Sequence, residues 1–453
     1  MELPRDFLED MQALLGADYD DYIRAMQEDA LRGLRVNTLK LSAADFREIS
    51  PFPLTPSALC RDAFLLESDA RVGQHPYHHA GLFYMQEPSA SAVVEALDPK
   101  PGMTVLDLCA APGGKSTHLA ARLAGRGLLV SNECVASRVR PLLSNLERMG
   151  ARNAIVTSAM PDVMAELCGP CFDVVVADAP CSGEGMFRRD EEALREWSRA
   201  HVAGCAARQA LILADAARMV RPGGLLLYST CTLNLHEDEG TVARFLEAHP
   251  DFTLEPITAV RLPSALGASH GLPDVLTRAA RLMPHRVRGE GHFIARMRRL
   301  DGPESAVLPL TAGRSLSREE SLRFAEFWDA VFSTDCWYEP VLQGDTVWLS
   351  PGALPGAVRS GVAAGHFRKG RFEPDHALFA AMPAEFIRNR AAFSVDDPRV
   401  SAFLRGEELT APSEKGWCAV CVSAGGREYP LGFGKASSGV IKNHYPKGLR
   451  NMK

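Results

Sequence analysis

The spacing of hydrophobic positions changes along the chain, and those changes divide it. Over the first 80 residues Phe7-Leu8, Met11 and Leu14-Leu15 recur at helical spacing, predicting a mostly helical lead-in, and Arg32 to Lys40 then reads as a strand. From about Tyr84 short apolar runs alternate with amphipathic stretches. Helix Ser89 to Leu97 leads to a strand at Val105 to Leu108, and His118 to Leu123 continues as a helix. Strands follow at Gly127 to Asn132 and Asn153 to Ser158, with the amphipathic stretch Val135 to Met149 between them. Phe172 to Asp178 is almost wholly apolar and hence central; a helical region from Glu191 to Val220 reaches a turn, Arg221 to Gly224, that feeds a fifth strand, Leu225 to Ser229. This alternation predicts an α/β fold, a doubly wound, Rossmann-like parallel sheet. Beyond Phe252 the period weakens to about Thr277. Gly291 to Met297 then reads as a closing strand, 301–317 as a linker and Ser317 to Phe332 as a helix. A small β-rich unit with a basic tail ends the chain.

In such sheets ligands sit at the carboxyl ends of the strands. Asp107 to Gly114, Glu133, Asp178 to Ser182 and Ser229 to Thr232 all fall at strand ends, so four distant segments should converge on one cleft. The first is a turn, Cys109-Ala110-Ala111-Pro112-Gly113-Gly114-Lys115, in which two glycines admit a ligand close to the backbone and the helix start offers free amides to an anionic group. Cys109 stands where a phosphate-cradling G-x-x-x-x-G-K-[ST] loop needs glycine, and G-x-G-x-x-G is absent. Glu133 suits a bidentate acceptor for ribose hydroxyls.

Composition narrows the class. The chain has 453 residues, 46% of them hydrophobic, ordinary for a globular protein of several domains. There is no apolar run long enough for a membrane span and Met1 to Asp6 lacks a leader's layout, so the expected place is the cytoplasm, with no membrane partner. Eleven scattered cysteines suit a reducing compartment. Two pairs have C-x-x-C spacing, Cys168/Cys171 and Cys418/Cys421, but the first precedes a strand instead of opening a helix and no histidine spacing supports zinc; neither a redox role nor a metal site is expected. The net charge of -6 argues against a uniformly basic nucleic-acid binder. Its distribution is uneven: residues 1–30 hold nine acids against two arginines, the tail from Leu431 holds five Lys/Arg and no acid, and Arg281 to Arg299 holds six arginines and one glutamate. Such local basic faces can still steer a polyanion.

Two of the convergent strand ends carry a cysteine, Asp178-Ala-Pro-Cys181 and Ser229-Thr-Cys231. Two thiols beside a carboxylate in one cleft point to nucleophilic chemistry: cysteine can add to a poorly electrophilic ring, with Asp178 helping as charge develops.

These stretches, with Ala177 to Phe187, Tyr228 to Thr232, Pro284-His285, Gly289 to Gly291, Gly73 to Tyr77 and Lys442 to Arg450, resemble the RNA (cytosine-5) methyltransferases of the nucleolar-protein/Sun type, in particular the bacterial branch acting on small-subunit (16S) ribosomal RNA. The resemblance spans nearly the whole chain. It implies S-adenosylmethionine as cofactor, held by Cys109 to Lys115, Glu133 and Asp178. Cys231 would attack C6 of cytosine, Asp178 would stabilise the ring protonated at N3, Cys181 would assist elimination, and Lys115 would orient substrate or Asp178. Relatives place a carboxylate after the third strand near the adenine; here Ser158, backbone or the slightly late Asp162 must serve. The resemblance also implies an RNA-binding extension at 1–80, a catalytic domain at 81–300, a linker and intermediate subdomain at 301–365, and a PUA-like RNA-binding domain at 366–453, with Lys435, Lys442, Lys447 and Arg450 on phosphates. A monomer acting on ribosomal RNA or the small subunit is expected; a transfer-RNA or DNA cytosine-5 enzyme and a non-catalytic assembly factor are the alternatives.

Overall fold

The computed structural model describes residues 2–67 and 72–451, so parts of the expected 1–80 and 366–453 units lie outside the described residues. At its centre is a nine-stranded mixed sheet. Its strands are β1 Thr104–Asp107, β2 Leu128–Asn132, β3 Ala154–Thr157, β4 Phe172–Asp178, β5 Val220–Thr230, β6 Phe252–Glu255, β7 Ala280–Leu282, β8 His292–Arg299 and β9 Arg359–Ser360. The order is β6-β8-β5-β4-β1-β2-β3-β9, with β7 also on β8. The five strands from β1 to β5 run parallel, and the alternation of apolar runs with helices explains why. Val105, Leu106 and Val174 to Val176 are fully buried, as a strand covered on both faces requires. Outside this core the pairing is antiparallel, through β8 on β5 and β9 on β3.

Three expectations need correction. The lead-in is not mostly helical: after helices Arg5–Leu15 and Tyr19–Gln27 comes a four-stranded antiparallel sheet ordered Leu54–Pro56, Ala63–Leu66, Arg32–Val36, Phe83–Met85. Strands of three to five residues, one pair of them joined across about fifty positions, leave too little local period to detect. The turn expected at Arg221 to Gly224 is instead a register irregularity inside the continuous β5. The irregular stretch after Phe252 hides β6 and β7, short strands ordered by pairing with β8.

Two further sheets complete the chain. One runs from Arg314 to Pro374 and the other from Arg390 to Asn443. Position 365/366 falls inside strand Val362–Arg368, so we place the end of the intermediate unit near 389. The C-terminal sheet shares one apolar core with the N-terminal sheet, where Leu34, Phe46 and Phe83 meet Phe393, Phe403 and Leu431. Of the tail's basic residues, Lys435 and Lys442 are exposed cross-strand neighbours, whereas Arg450 is half-buried and donates to the Tyr445 carbonyl at 3.2 and 3.3 Å. Among the described residues no helix is long and apolar enough to cross a membrane.

Candidate functional site

The register of the sheet assembles the site. Asp178 ends β4 opposite Ser229 of β5, whose Oγ donates to Asp178 Oδ1 at 2.7 Å. Lys115, in the first turn of helix Gly114–Leu123, places Nζ 2.6 Å from Asp178 Oδ2. Because Phe293 of β8 pairs with Thr230, His292 lies across from Cys231, its Nε2 3.6 Å from Asp178 Oδ1. Burial pushes the Asp178 carboxyl up, but Lys115 and His292 more than offset this and hold it below the usual carboxylate range. Asp178 is therefore an ionised, hydrogen-bonded acceptor in a half-buried cleft. Lys115 stays charged for the reciprocal reason: burial lowers it and Asp178 raises it further.

Cys181 and Cys231 face each other with Sγ atoms 3.2 Å apart. The Cys231 sulfur, and then burial, push the Cys181 thiol well above its ordinary value. Cys181 thus keeps its proton, and either sulfur can donate across the contact. Gly185 makes this approach possible, since its amide donates to the Cys231 carbonyl at 2.9 Å and a Cβ there would sit 2.8 Å from that oxygen.

A buried polar scaffold that sequence reading missed fixes both thiol loops. Glu237 accepts from Ser182 Oγ at 2.5 Å, Gln209 Nε2 at 2.7 Å and Asn234 Nδ2 at 2.8 Å. Glu184 accepts from Trp197 Nε1 at 2.8 Å and from the Leu233 amide at 2.9 Å. Asp238 and Glu239, fully buried, both pair with the buried Arg281. The run Glu237-Asp-Glu239 just after a reactive motif was the available signal.

The cofactor half lies on the neighbouring strand ends. Gly113, at φ +113°, turns the chain into the helix, and a Cβ there would meet Leu142 at 3.3 Å. Cys109 is half-buried with its thiol pushed up by burial, Ala110 and Ala111 are buried, and Pro112 is exposed. Helix Ala136–Met149 holds this loop, with Arg138 donating to the Ala111 carbonyl and Asn145 to that of Pro112, each at 2.9 Å. Asn132, also missed, ties three strand ends together by donating to the Leu108 and Ala159 carbonyls at 3.2 and 2.9 Å and accepting from Thr157 Oγ1 at 2.8 Å. Ser158 and Asp162 are both exposed; Asp162 accepts from the Val163 amide at 2.9 Å.

Two buried oxygens here accept no hydrogen bond, although Glu133 Oε2 lies 3.5 Å from the Arg138 guanidinium. Glu133 Oε1 accepts from the Val135 amide at 2.9 Å while Oε2 has no hydrogen bond, and Asp107 Oδ2 accepts from Ser116 Oγ at 2.6 Å while Oδ1 has none. An unpaired buried acceptor costs about 1–3 kcal/mol. A ligand bringing hydroxyl and ammonium donors into this loop matches these two acceptors, as S-adenosylmethionine does. Among the described residues Cys60, Glu95 and His118 form one metal-like cluster, but Arg61 and Arg122 already pair with Glu95, and we assign it no ion.

Asp107 gives a pH prediction. Burial pushes its carboxyl up to about 7. A raised folded value contributes stability that is fully present below the unfolded value of about 4 and lost as pH rises through the folded one. Asp107→Asn keeps the acceptor for Ser116 and removes the titration, so the cofactor-free variant should show a smaller fall in Tm between pH 5 and pH 8 than the wild type. Equal falls would contradict the assignment.

An open α/β sheet with a glycine turn after its first strand and acidic acceptors after the first two is the framework of an S-adenosylmethionine-dependent methyltransferase, and that is the class to which this chain belongs. Profiles of known families agree. Residues 94–298 match the 16S rRNA methyltransferase RsmB/F family, 3–88 the N-terminal domain of 16S rRNA methyltransferase RsmF, and 390–451 the RsmF PUA domain. The chain belongs to the ribosomal RNA small subunit methyltransferase F family: it is 33% identical to the Erwinia tasmaniensis member over 98% of this chain and 96% of that protein. The Vibrio parahaemolyticus member is 32% identical over 99% and 97%. Among solved structures, a methyltransferase homologue from Pyrococcus horikoshii is 30% identical, with a TM-score of 0.59, over 66% of this chain and 95% of that one. The cofactor is S-adenosylmethionine.

Proposed function

We propose that this protein methylates C5 of a cytosine in small-subunit (16S) ribosomal RNA through a covalent bond between Cys231 and C6, acting as a monomer in the cytoplasm. The observation that carries the reading is the pair of thiols 3.2 Å apart beside an ionised carboxylate, on adjacent strand ends that also frame the cofactor loop. C5 of an intact cytosine ring is barely nucleophilic, and addition at C6 makes it enamine-like. S-adenosylmethionine, held by Cys109 to Lys115, Glu133 and Asp178, supplies the electrophilic methyl group.

The chain's own groups account for the rest. As the Cys231 sulfur bonds to C6 its proton is released and N3 gains one, so the addition is neutral overall. Asp178, kept ionised by Lys115 and His292, accepts a hydrogen bond from the protonated ring at N3 and orients the base. After C5 has gained its methyl group, the C5 proton leaves to solvent, the C6–S bond breaks, and the proton on N3 passes to the departing sulfur, restoring the aromatic ring and the Cys231 thiol. Cys181, which keeps its own proton, assists this elimination by returning a hydrogen bond to the departing sulfur. The target base must leave its stack to present C6 to Cys231.

The test is direct. Purified protein incubated with methyl-labelled S-adenosylmethionine and 16S ribosomal RNA, free and as assembled small subunits, should yield label that migrates as 5-methylcytidine after digestion. Label in another nucleoside would overturn the cytosine assignment, and label accepted only by transfer RNA would overturn the substrate.

A further inference from the structure

Six arginines lie between Arg281 and Arg299, and the fold sorts them. Arg281 is buried against Asp238 and Glu239, Arg296 and Arg298 are bound to Glu255, and Arg299 to Asp251. Arg286, exposed, pairs with Asp18. Arg288 is exposed and, among the described residues, makes no ion pair; the same holds for Arg261 on the loop after β6. These last three arginines rim one groove of about 590 Å³ between the N-terminal sheet and the 256–291 segment. Its floor is apolar, with Leu59, Leu65, Leu262 and Val287, and no carboxylate lines it.

The segment carrying Arg286 and Arg288 leads straight into the reactive centre. Glu290 accepts from the Leu31 amide at 2.9 Å and from Arg188 Nε at 2.7 Å, and its own amide donates to Glu87 at 2.8 Å. The carbonyls of Glu290 and Gly291 pack on Gly185, each 3.1 Å from where its Cβ would be. His292, at the Asp178 carboxylate, is four residues from Arg288, so their Cα atoms are at most about 14 Å apart. Chain connectivity therefore keeps the Arg288 rim of the groove within about 14 Å of His292.

We infer that this groove binds the single-stranded RNA flanking the target cytosine, with Arg261 and Arg288 on phosphates and a neighbouring base laid over Leu262 and Val287. This rests on the proposed function and extends it from the reacting base to its neighbours. The chemistry favours RNA over an acidic protein segment: two unpaired guanidiniums above an apolar floor match a phosphate chain whose bases need a stacking surface. A target base can be flipped only if the strand on either side is held, and this groove is placed to hold it.

The experiment compares the wild type with Arg261→Ala/Arg288→Ala, with Arg261→Lys/Arg288→Lys, and with Arg318→Ala, which removes a charge from an exposed helix start elsewhere. Binding of 16S ribosomal RNA is measured by filter retention across salt concentrations, and methyl transfer at saturating cofactor. For the double alanine variant the expectation is a Kd raised at least about tenfold, a salt slope reduced by about 2, KM raised in parallel, and Tm unchanged. The lysine variant should recover most of the affinity and Arg318→Ala should match the wild type. Wild-type-like binding and KM in the double alanine variant would overturn the groove while methylation by the wild type still upholds the function. A defect seen only with assembled subunits, with an unaltered salt slope, would also overturn it, because the groove would then face a ribosomal protein. Absence of transfer by the wild type itself would be a failure of the functional reading.

Discussion

Cys231→Ala should eliminate methyl transfer, lowering the rate by at least about 10⁴-fold, and should eliminate any covalent protein–RNA species. Cys181→Ala should behave differently. It leaves the attacking sulfur intact and removes the hydrogen bond to it, so the adduct forms but breaks down slowly and accumulates as a band resistant to denaturing electrophoresis. The asymmetry follows from the roles proposed for the two sulfurs, which lie 3.2 Å apart, with the Cys181 thiol raised so that it keeps its proton. Each substitution removes one partner of a single contact on the wall of the cleft, so both proteins should fold with similar Tm. If Cys231→Ala retained transfer while Cys181→Ala formed no adduct, the nucleophile would be Cys181, and the chemistry would follow the DNA-enzyme pattern instead. Cys231→Ser tests the same point more narrowly: the shape is kept and the nucleophile is lost.

How much of this site the amino-acid sequence reveals depends on where each residue sits. Asp178, Cys181 and Cys231 stand at the ends of strands whose apolar runs are long and locally periodic, so their convergence follows from the parallel topology alone. His292 is different. In sequence it is the first residue of an ordinary strand, and only the antiparallel register of β8 on β5 carries it to Asp178. Asn132 and the buried acids Glu184, Glu237, Asp238 and Glu239 escape for a related reason: their partners lie in other loops, and a charged residue in a strand-end loop reads as solvated until its burial is known. The N-terminal sheet fails at the level of the element itself, because three-residue strands such as Leu54–Pro56 exist only through their pairing. The edge strand β9, supplied from residue 359 to a sheet begun at residue 104, lies beyond any local reading.

Arg281→Met should destabilise the folded protein by about 3–5 kcal/mol near pH 8, the cost of leaving buried charge without its partner. Arg281 donates to Glu239 Oε1 at 2.9 Å and lies 3.1 Å from Asp238 Oδ2, and all three side chains are almost wholly buried. Burial already pushes the Asp238 carboxyl well up, with Arg281 opposing it. Once the guanidinium is gone only the Thr230 hydroxyl, donating at 2.6 Å, still opposes it, and the folded protein keeps a proton that the unfolded chain releases. A raised folded value gives stability that is present at low pH and lost as pH rises through it, so the variant's deficit against the wild type should shrink between pH 8 and pH 5. Denaturant unfolding at the two pH values measures this. A deficit independent of pH would mean that the damage is lost packing of a long side chain and not an uncompensated charge. Activity should suffer as well, since Arg281 also donates to the Leu233 carbonyl, while the Leu233 amide is held by Glu184 at 2.9 Å. Leu233 follows Cys231 by two residues, so the buried ion cluster anchors the loop that sets the proposed nucleophile opposite Cys181.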